Sequence, residues 1–120
     1  MIIKDLSETE EFLAGDRTRL RELFNPAKEQ LSLRCSLAHA AVAPSAKTKR
    51  HRLRTSEVYY VLEGQGLMHI GRESAPVKPG QAVYIPPGAV QWIENTGADS
   101  LIFLCIVDPA WRPEDEEVLE

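Results

Sequence analysis

Cysteine and aromatic residues are scarce in this chain of 120 residues, which has two Cys, two Trp, three Tyr and three Phe. Cys35 and Cys105 lie far apart, each in an apolar, strand-like stretch, so buried free thiols are expected rather than a disulfide or a thiolate metal site. Long apolar runs are lacking as well. The longest, Leu101 to Val107, stops at Asp108, far short of the roughly 20 residues that a membrane-spanning helix needs. The opening Met1-Ile2-Ile3-Lys4-Asp5-Leu6 has neither the basic start nor the apolar stretch of a secretory signal. A cytoplasmic protein with no membrane partner is expected. Positive charge is not in excess either: a net charge of −4 and a pI near 5.4 disfavour a surface that tracks nucleic-acid phosphates. What remains, 43% hydrophobic and 27% charged, is the balance of one soluble domain around one core.

Sustained helical periodicity is also missing from Leu31 onward. Short β-type segments, Leu31–Val42, Val58–Leu62, Leu67–Ile70, Ala82–Ile85, Val90–Glu94 and Leu101–Val107, alternate with Pro and Gly punctuation such as Gly64-Gln65-Gly66, Pro79-Gly80 and Pro86-Pro87-Gly88. This pattern suits an all-β antiparallel barrel or jelly-roll, which solves the edge problem by closing on itself. Ahead of it, Ser7-Glu8-Thr9-Glu10 has the spacing of a capping box, predicting a short helix near Glu8–Leu13. Thr18–Phe24 reads as a strand, although Arg19–Leu23 could equally start a helix. The expected organisation is an N-terminal extension, 1–30, packing on the barrel, then a barrel over 31–111 and a solvated acidic tail over 112–120.

The stretch from His51 to Gly64 carries the first chemical signal. It resembles the first motif of the cupin superfamily: Gly, five residues, His-x-His, three or four residues, Glu, six residues, Gly. Glu57 and Gly64 have the required six residues between them, which places the first histidine at His51, the second at Leu53 and the leading glycine at Ser45. The second motif, Gly, five residues, Pro-x-Gly, two residues, His, three residues, Asn, finds Gly80, Pro86, Gly88 and Asn95 in place, with Gln91 where its histidine belongs. The fifteen residues between Gly64 and Gly80 are about the shortest separation of the motifs, as in small single-domain prokaryotic cupins. The resemblance implies a double-stranded β-helix barrel, and a homodimer, since Phe24, Trp92 and Trp111 exceed what so small a barrel buries.

The typical cupin brings three imidazoles and one carboxylate to a divalent ion. Here the resemblance leaves His51, Glu57 and Gln91 as the metal candidates. Leu53 has no lone pair, and an amide oxygen is a weaker donor than imidazole to first-row transition metals. The ion implied is Zn, Mn, Fe, Ni or Co. Strand alternation puts Tyr59 and Val61 on the face of Glu57, Ile93 on that of Gln91 and Leu53 on that of His51, giving a polar cluster against an apolar wall. Glu57 as ligand or base and Tyr59 as proton donor are the catalytic candidates. His39 and His69 are expected to be structural or outward-facing. The basic run Lys47–Arg54 is expected to be a solvated loop, the alternative being an Arg that greets an anionic substrate. Three functions stay open: a metal-dependent isomerase, decarboxylase or dioxygenase; a non-catalytic module that binds or senses a small molecule; and a structural role.

Overall fold

Alternation along the longest strand sets the architecture. In Leu101–Asp108 the odd-numbered Leu101, Phe103, Cys105 and Val107 are buried while the even-numbered residues are half-buried, as a strand with one face on a core requires. The computed structural model describes all 120 residues. Eleven strands follow in order: β1 Phe12–Leu13, β2 Arg19–Phe24, β3 Ser36–Val42, β4 His51–Leu53, β5 Ser56–Glu63, β6 Gly66–Ile70, β7 Glu73–Val77, β8 Ala82–Ile85, β9 Gln91–Asn95, β10 Leu101–Asp108 and β11 Glu116–Val118. They form two antiparallel sheets, β1-β2-β3-β10-β5-β8 and β11-β4-β9-β6-β7. The inner faces meet in one core of Ala40, Val61, Phe103, Leu101, Ile93 and their neighbours. Phe103, fully buried, lies 4.4 Å from the Tyr59 ring; burying a side chain of that size is worth about 1.5–3 kcal/mol. No helix is long and apolar enough to cross a membrane.

The motif residues make the turns. Gly64 has φ +86°, and a Cβ there would sit 2.6 Å from the Ser100 carbonyl oxygen, so both the backbone and the neighbouring strand demand glycine. The position of the first motif's leading glycine also needs the left-handed region. Ser45 adopts φ +66° there, at a cost on the order of 1–2 kcal/mol. Asn95, buried, spends its side chain on structure: its amide donates to the carbonyls of Val42 and Asp99 at 2.9 and 2.8 Å and its Oδ1 accepts from Gly97 N–H at 2.9 Å.

Several expectations are corrected. Asp5 captures the Ser7 amide and hydroxyl at 2.9 and 2.7 Å, so Ser7 cannot cap a helix. Only a 3-10 turn, Leu6–Glu8, forms, and Phe12–Leu13 is strand β1. Leu31–Cys35 is irregular, and β3 begins at Ser36. The basic run contains a strand, β4, and the acidic end contains its partner, β11, in the register Glu116↔Leu53, Glu117↔Arg52, Val118↔His51. Backbone bonds pair the two, and opposite charge assists: Arg54 N–H donates to the Asp115 carbonyl and Leu119 N–H to that of Arg50, while Arg52 donates to Glu117 at 2.8 Å and the backbone N–H of Arg50 to Glu120 at 2.6 Å. β7 carries Pro76 on an exposed edge, where the missing donor costs nothing. The three aromatics assigned to a dimer face all have partners within the chain: Lys4 over Phe24 at 5.8 Å, His69 stacked on Trp92 at 4.3 Å and Lys28 over Trp111 at 5.5 Å.

Candidate functional site

His51 and Gln91 are cross-strand neighbours on β4 and β9, and Gly88 N–H donates to the Leu53 carbonyl at 2.7 Å. The two motifs are thus stitched together where a cavity of about 190 Å³ opens between the sheets. Along β4, His51 and Leu53 point in and Arg52 points out. Glu57 and Tyr59 point in from β5. His51, Leu53, Glu57 and Tyr59 all line the cavity.

Gln91 stands behind this wall. It is 1% exposed; its Oε1 accepts from the Tyr59 hydroxyl at 3.1 Å and its Nε2 donates to Glu57 Oε1 at 3.0 Å. The structure therefore joins Glu57 and Gln91 directly and puts His51 on the same cavity as Glu57. Both ends of the Gln91 amide are committed, so an ion held by all three would require the amide to be released.

Burial sets the protonation here. It pushes the Glu57 carboxyl up to about 8, with the nearby Asp16 and Glu116 adding to the rise and the Gln91 hydrogen bond opposing it. Glu57 is thus an acid at neutral pH, with a proton to give, rather than a base. Desolvation also drives the Tyr59 hydroxyl and the Cys105 thiol well above their ordinary values. Tyr59 keeps its proton and directs it at Gln91, away from the cavity.

Three lining carboxylates come from outside the motifs: Glu22, paired with Lys28, and two that have no lysine or arginine partner. Asp16, in the turn before β2, accepts at Oδ1 from Thr18 N–H and Oγ1–H at 3.0 and 2.7 Å. Its Oδ2 lies 3.5 Å from His51 Nε2. Glu116, on β11, accepts at Oε2 from the Trp111 indole N–H at 3.2 Å; desolvation first, and then the neighbouring Asp16, raises its carboxyl. Sequence reading missed both because nothing local marks them. Asp16 follows a breaking glycine and Glu116 sits in an acidic run, and only long-range pairing brings them to the site. His51 Nδ1 lies 2.8 Å from the Lys49 carbonyl. A carbonyl can only accept, so Nδ1 carries the proton and, in the neutral ring, the Nε2 lone pair faces the cavity.

The remaining candidates lie elsewhere. His39 is on the outer face of β3, paired with Arg21 and Leu104. His69 faces outward between Glu94 at 2.9 Å and Ser74 at 2.8 Å. Arg50, Arg52 and Arg54 do not line the cavity; Arg52 pairs with Glu117 on β11 and Arg50 with Glu120 just beyond it.

Residues 38–107 match the family model described as Cupin domain, and the chain belongs to the cupin family. It is 41% identical over 110 residues to the uncharacterised protein MJ1618 of Methanocaldococcus jannaschii, covering 91% of this chain and 87% of that one. A 51-residue stretch, 42% of each chain, is 37% identical to an oxalate-binding protein of Thermotoga maritima. Among solved structures, the polyketide cyclase RemF of Streptomyces resistomycificus superposes with a TM-score of 0.81 over 100% of this chain and 86% of that one, at 22% identity, a likeness of fold alone.

Proposed function

We propose that this cupin is a binding module that holds a small polar molecule in the barrel cavity without turning it over. The observation that carries the reading is a cavity of about 190 Å³ with Asp16, His51, Glu57 and Glu116 around its polar part and apolar walls from Leu20, Leu53 and Val107. Such a layout, a mostly apolar pocket with a few oriented polar groups, is what fixes a small ligand. Non-catalytic binding is favoured over isomerase, decarboxylase or dioxygenase chemistry because both catalytic candidates are engaged by the Gln91 amide, which accepts from the Tyr59 hydroxyl and donates to Glu57. The ligand differs from oxalate on charge, since a dianion would meet carboxylates and no Lys or Arg side chain.

The test is a fragment screen by thermal shift on the parent and on Leu53→Trp, which fills the cavity from its apolar wall. Hits that stabilise the parent and not the variant support the reading. No hits at all, or hits that bind both proteins equally, refute it.

A divalent ion at His51, Glu57 and Gln91 is a second reading, favoured by the inward lone pair of His51 Nε2. It asks Glu57 to lose its proton and Gln91 to leave Tyr59. On this reading Gln91→His raises affinity for zinc, nickel or cobalt and His51→Ala lowers it in metal calorimetry; no change in either variant ends it. We also infer a homodimer through the outer face of the first sheet, where Tyr60, Leu62 and Tyr84 are 41%, 38% and 64% exposed beside half-buried Val58, Leu104 and Ile106.

A further inference from the structure

The polar end of the cavity lacks a lysine or arginine. Asp16, Glu22, Glu57 and Glu116 supply its carboxyl groups and His51 its imidazole. Glu22 is paired with Lys28 at 2.8 Å, and Glu57 is engaged by the Gln91 amide, which donates to it at 3.0 Å. Asp16 and Glu116 are left with one histidine between them and no ion pair to lysine or arginine. Carboxylates held on a largely apolar cavity, Asp16 buried and Glu116 half-buried, favour a cationic partner over water.

The unspent atoms define the missing group. Asp16 uses Oδ1 on Thr18 and leaves Oδ2. Glu116 uses Oε2 on Trp111 and leaves Oε1. His51, 3% exposed, uses Nδ1 on the Lys49 carbonyl and leaves Nε2. The 3.5 Å between His51 Nε2 and Asp16 Oδ2 is outside good hydrogen-bond range, so in the neutral ring one acceptor faces another across the cavity. Three acceptors at one end match the three N–H donors of an alkylammonium group. A bare metal ion suits the site less well. No three His, Cys, Asp or Glu groups are gathered closely enough to ligate one, and the apolar walls extend the cavity well beyond an ion.

We infer that the ligand is a small organic cation, a primary ammonium on a compact apolar body, with its head on Asp16, His51 and Glu116 and its body against Leu20, Leu53 and Val107. This rests on the binding-module reading above and gives it a ligand class. Asp16 and Glu116 come from the turn before β2 and from the last strand, so the ligand's charge is read by residues outside both cupin motifs.

Three isosteric probes test it by calorimetry on the full chain at neutral pH: 3-methylbutylamine, 3-methyl-1-butanol and 3-methylbutanoate. The amine should bind at least about tenfold more tightly than the alcohol, the size of a charged hydrogen-bond contribution, and the carboxylate should not bind. Asp16→Asn and Glu116→Gln keep the acceptors used by Thr18 and Trp111, so both variants should fold, as circular dichroism would check. Each should weaken the amine by about tenfold and leave the alcohol unchanged. The inference is overturned if the carboxylate binds as well as the amine, if both variants bind the amine like the parent, or if none of the three probes binds. It is also overturned if zinc or manganese binds through Asp16 while the amine does not. If it fails while other fragments still bind the parent and not Leu53→Trp, the binding-module reading survives; if no fragment binds, both fall.

Discussion

Replacing Glu57 by glutamine should make the protein less sensitive to alkali, and the magnitude follows from the burial of its carboxyl. The group lines the cavity in front of Gln91, its proton held up to about 8 against an ordinary value of 4.5. An unfolded chain releases that proton near 4.5 and the folded chain keeps it to about 8, so folding takes up a proton within this window and stability falls as pH rises. The contribution is fully present below 4.5 and gone above about 8. At about 1.4 kcal/mol for each tenfold step in the proton equilibrium, the ceiling is on the order of 5 kcal/mol, reduced by solvent reaching the carboxyl through the cavity. The Glu57→Gln side chain would have no proton to lose and would keep an oxygen for the Gln91 amide, which now donates to Glu57 at 3.0 Å. Urea unfolding of both proteins from about pH 5 to pH 9 isolates the effect, because every other titrating group is common to the pair. The two should be of similar stability near pH 5, with the variant ahead by a few kcal/mol near pH 9. Parallel pH profiles would refute the claim that Glu57 is buried and protonated.

Two further outcomes are expected. Ser45→Gly relieves the left-handed backbone at φ +66° and should raise the urea midpoint by the equivalent of about 1 kcal/mol; a lower midpoint would mean that the loop tolerates serine without strain. Leu104→Glu, on the half-buried outer face of β10, should convert a dimer into a monomer in sedimentation at micromolar concentration without unfolding it, whereas a parent that is already monomeric removes the dimer.

The barrel was legible because its turns are written locally. Glycine and proline mark each reversal, and alternation in β9 and β10 leaves one inward face. Motif spacing put His51, Glu57, Tyr59 and Gln91 on the inward faces of their strands for the same reason, since spacing within a strand fixes the face. Spacing did not carry what Gln91 does, because whether an amide faces a cavity or braces two neighbours depends on the side chains packed beside it. β4 and β11 were hidden in two charged runs of opposite sign that read separately as solvated segments. Their pairing is a relation between residues 65 positions apart, Arg52 and Glu117, and neither run shows it alone. Asp16 and Glu116 were missed with them.

The corner made by β4 and β11 has its own mechanical character. It meets β9 at one registered pair, His51 with Gln91, flanked by the Gly88–Leu53 and Thr48–Ile93 backbone bonds, and β11 holds to β4 over three residues aided by exposed ion pairs, each worth about 0–1 kcal/mol. A three-residue strand at a sheet edge, as β11 is, is expected to open before a core strand does. When this corner swings, His51, Leu53 and Glu116 travel with it as one body, while Glu57 and Tyr59 stay on β5, anchored between β10 and β8. The cavity therefore has a fixed jaw and a loose one. Amide protons such as those of Arg54 and Leu119, bonded across the corner to Asp115 and Arg50, are expected to exchange sooner than those of β10.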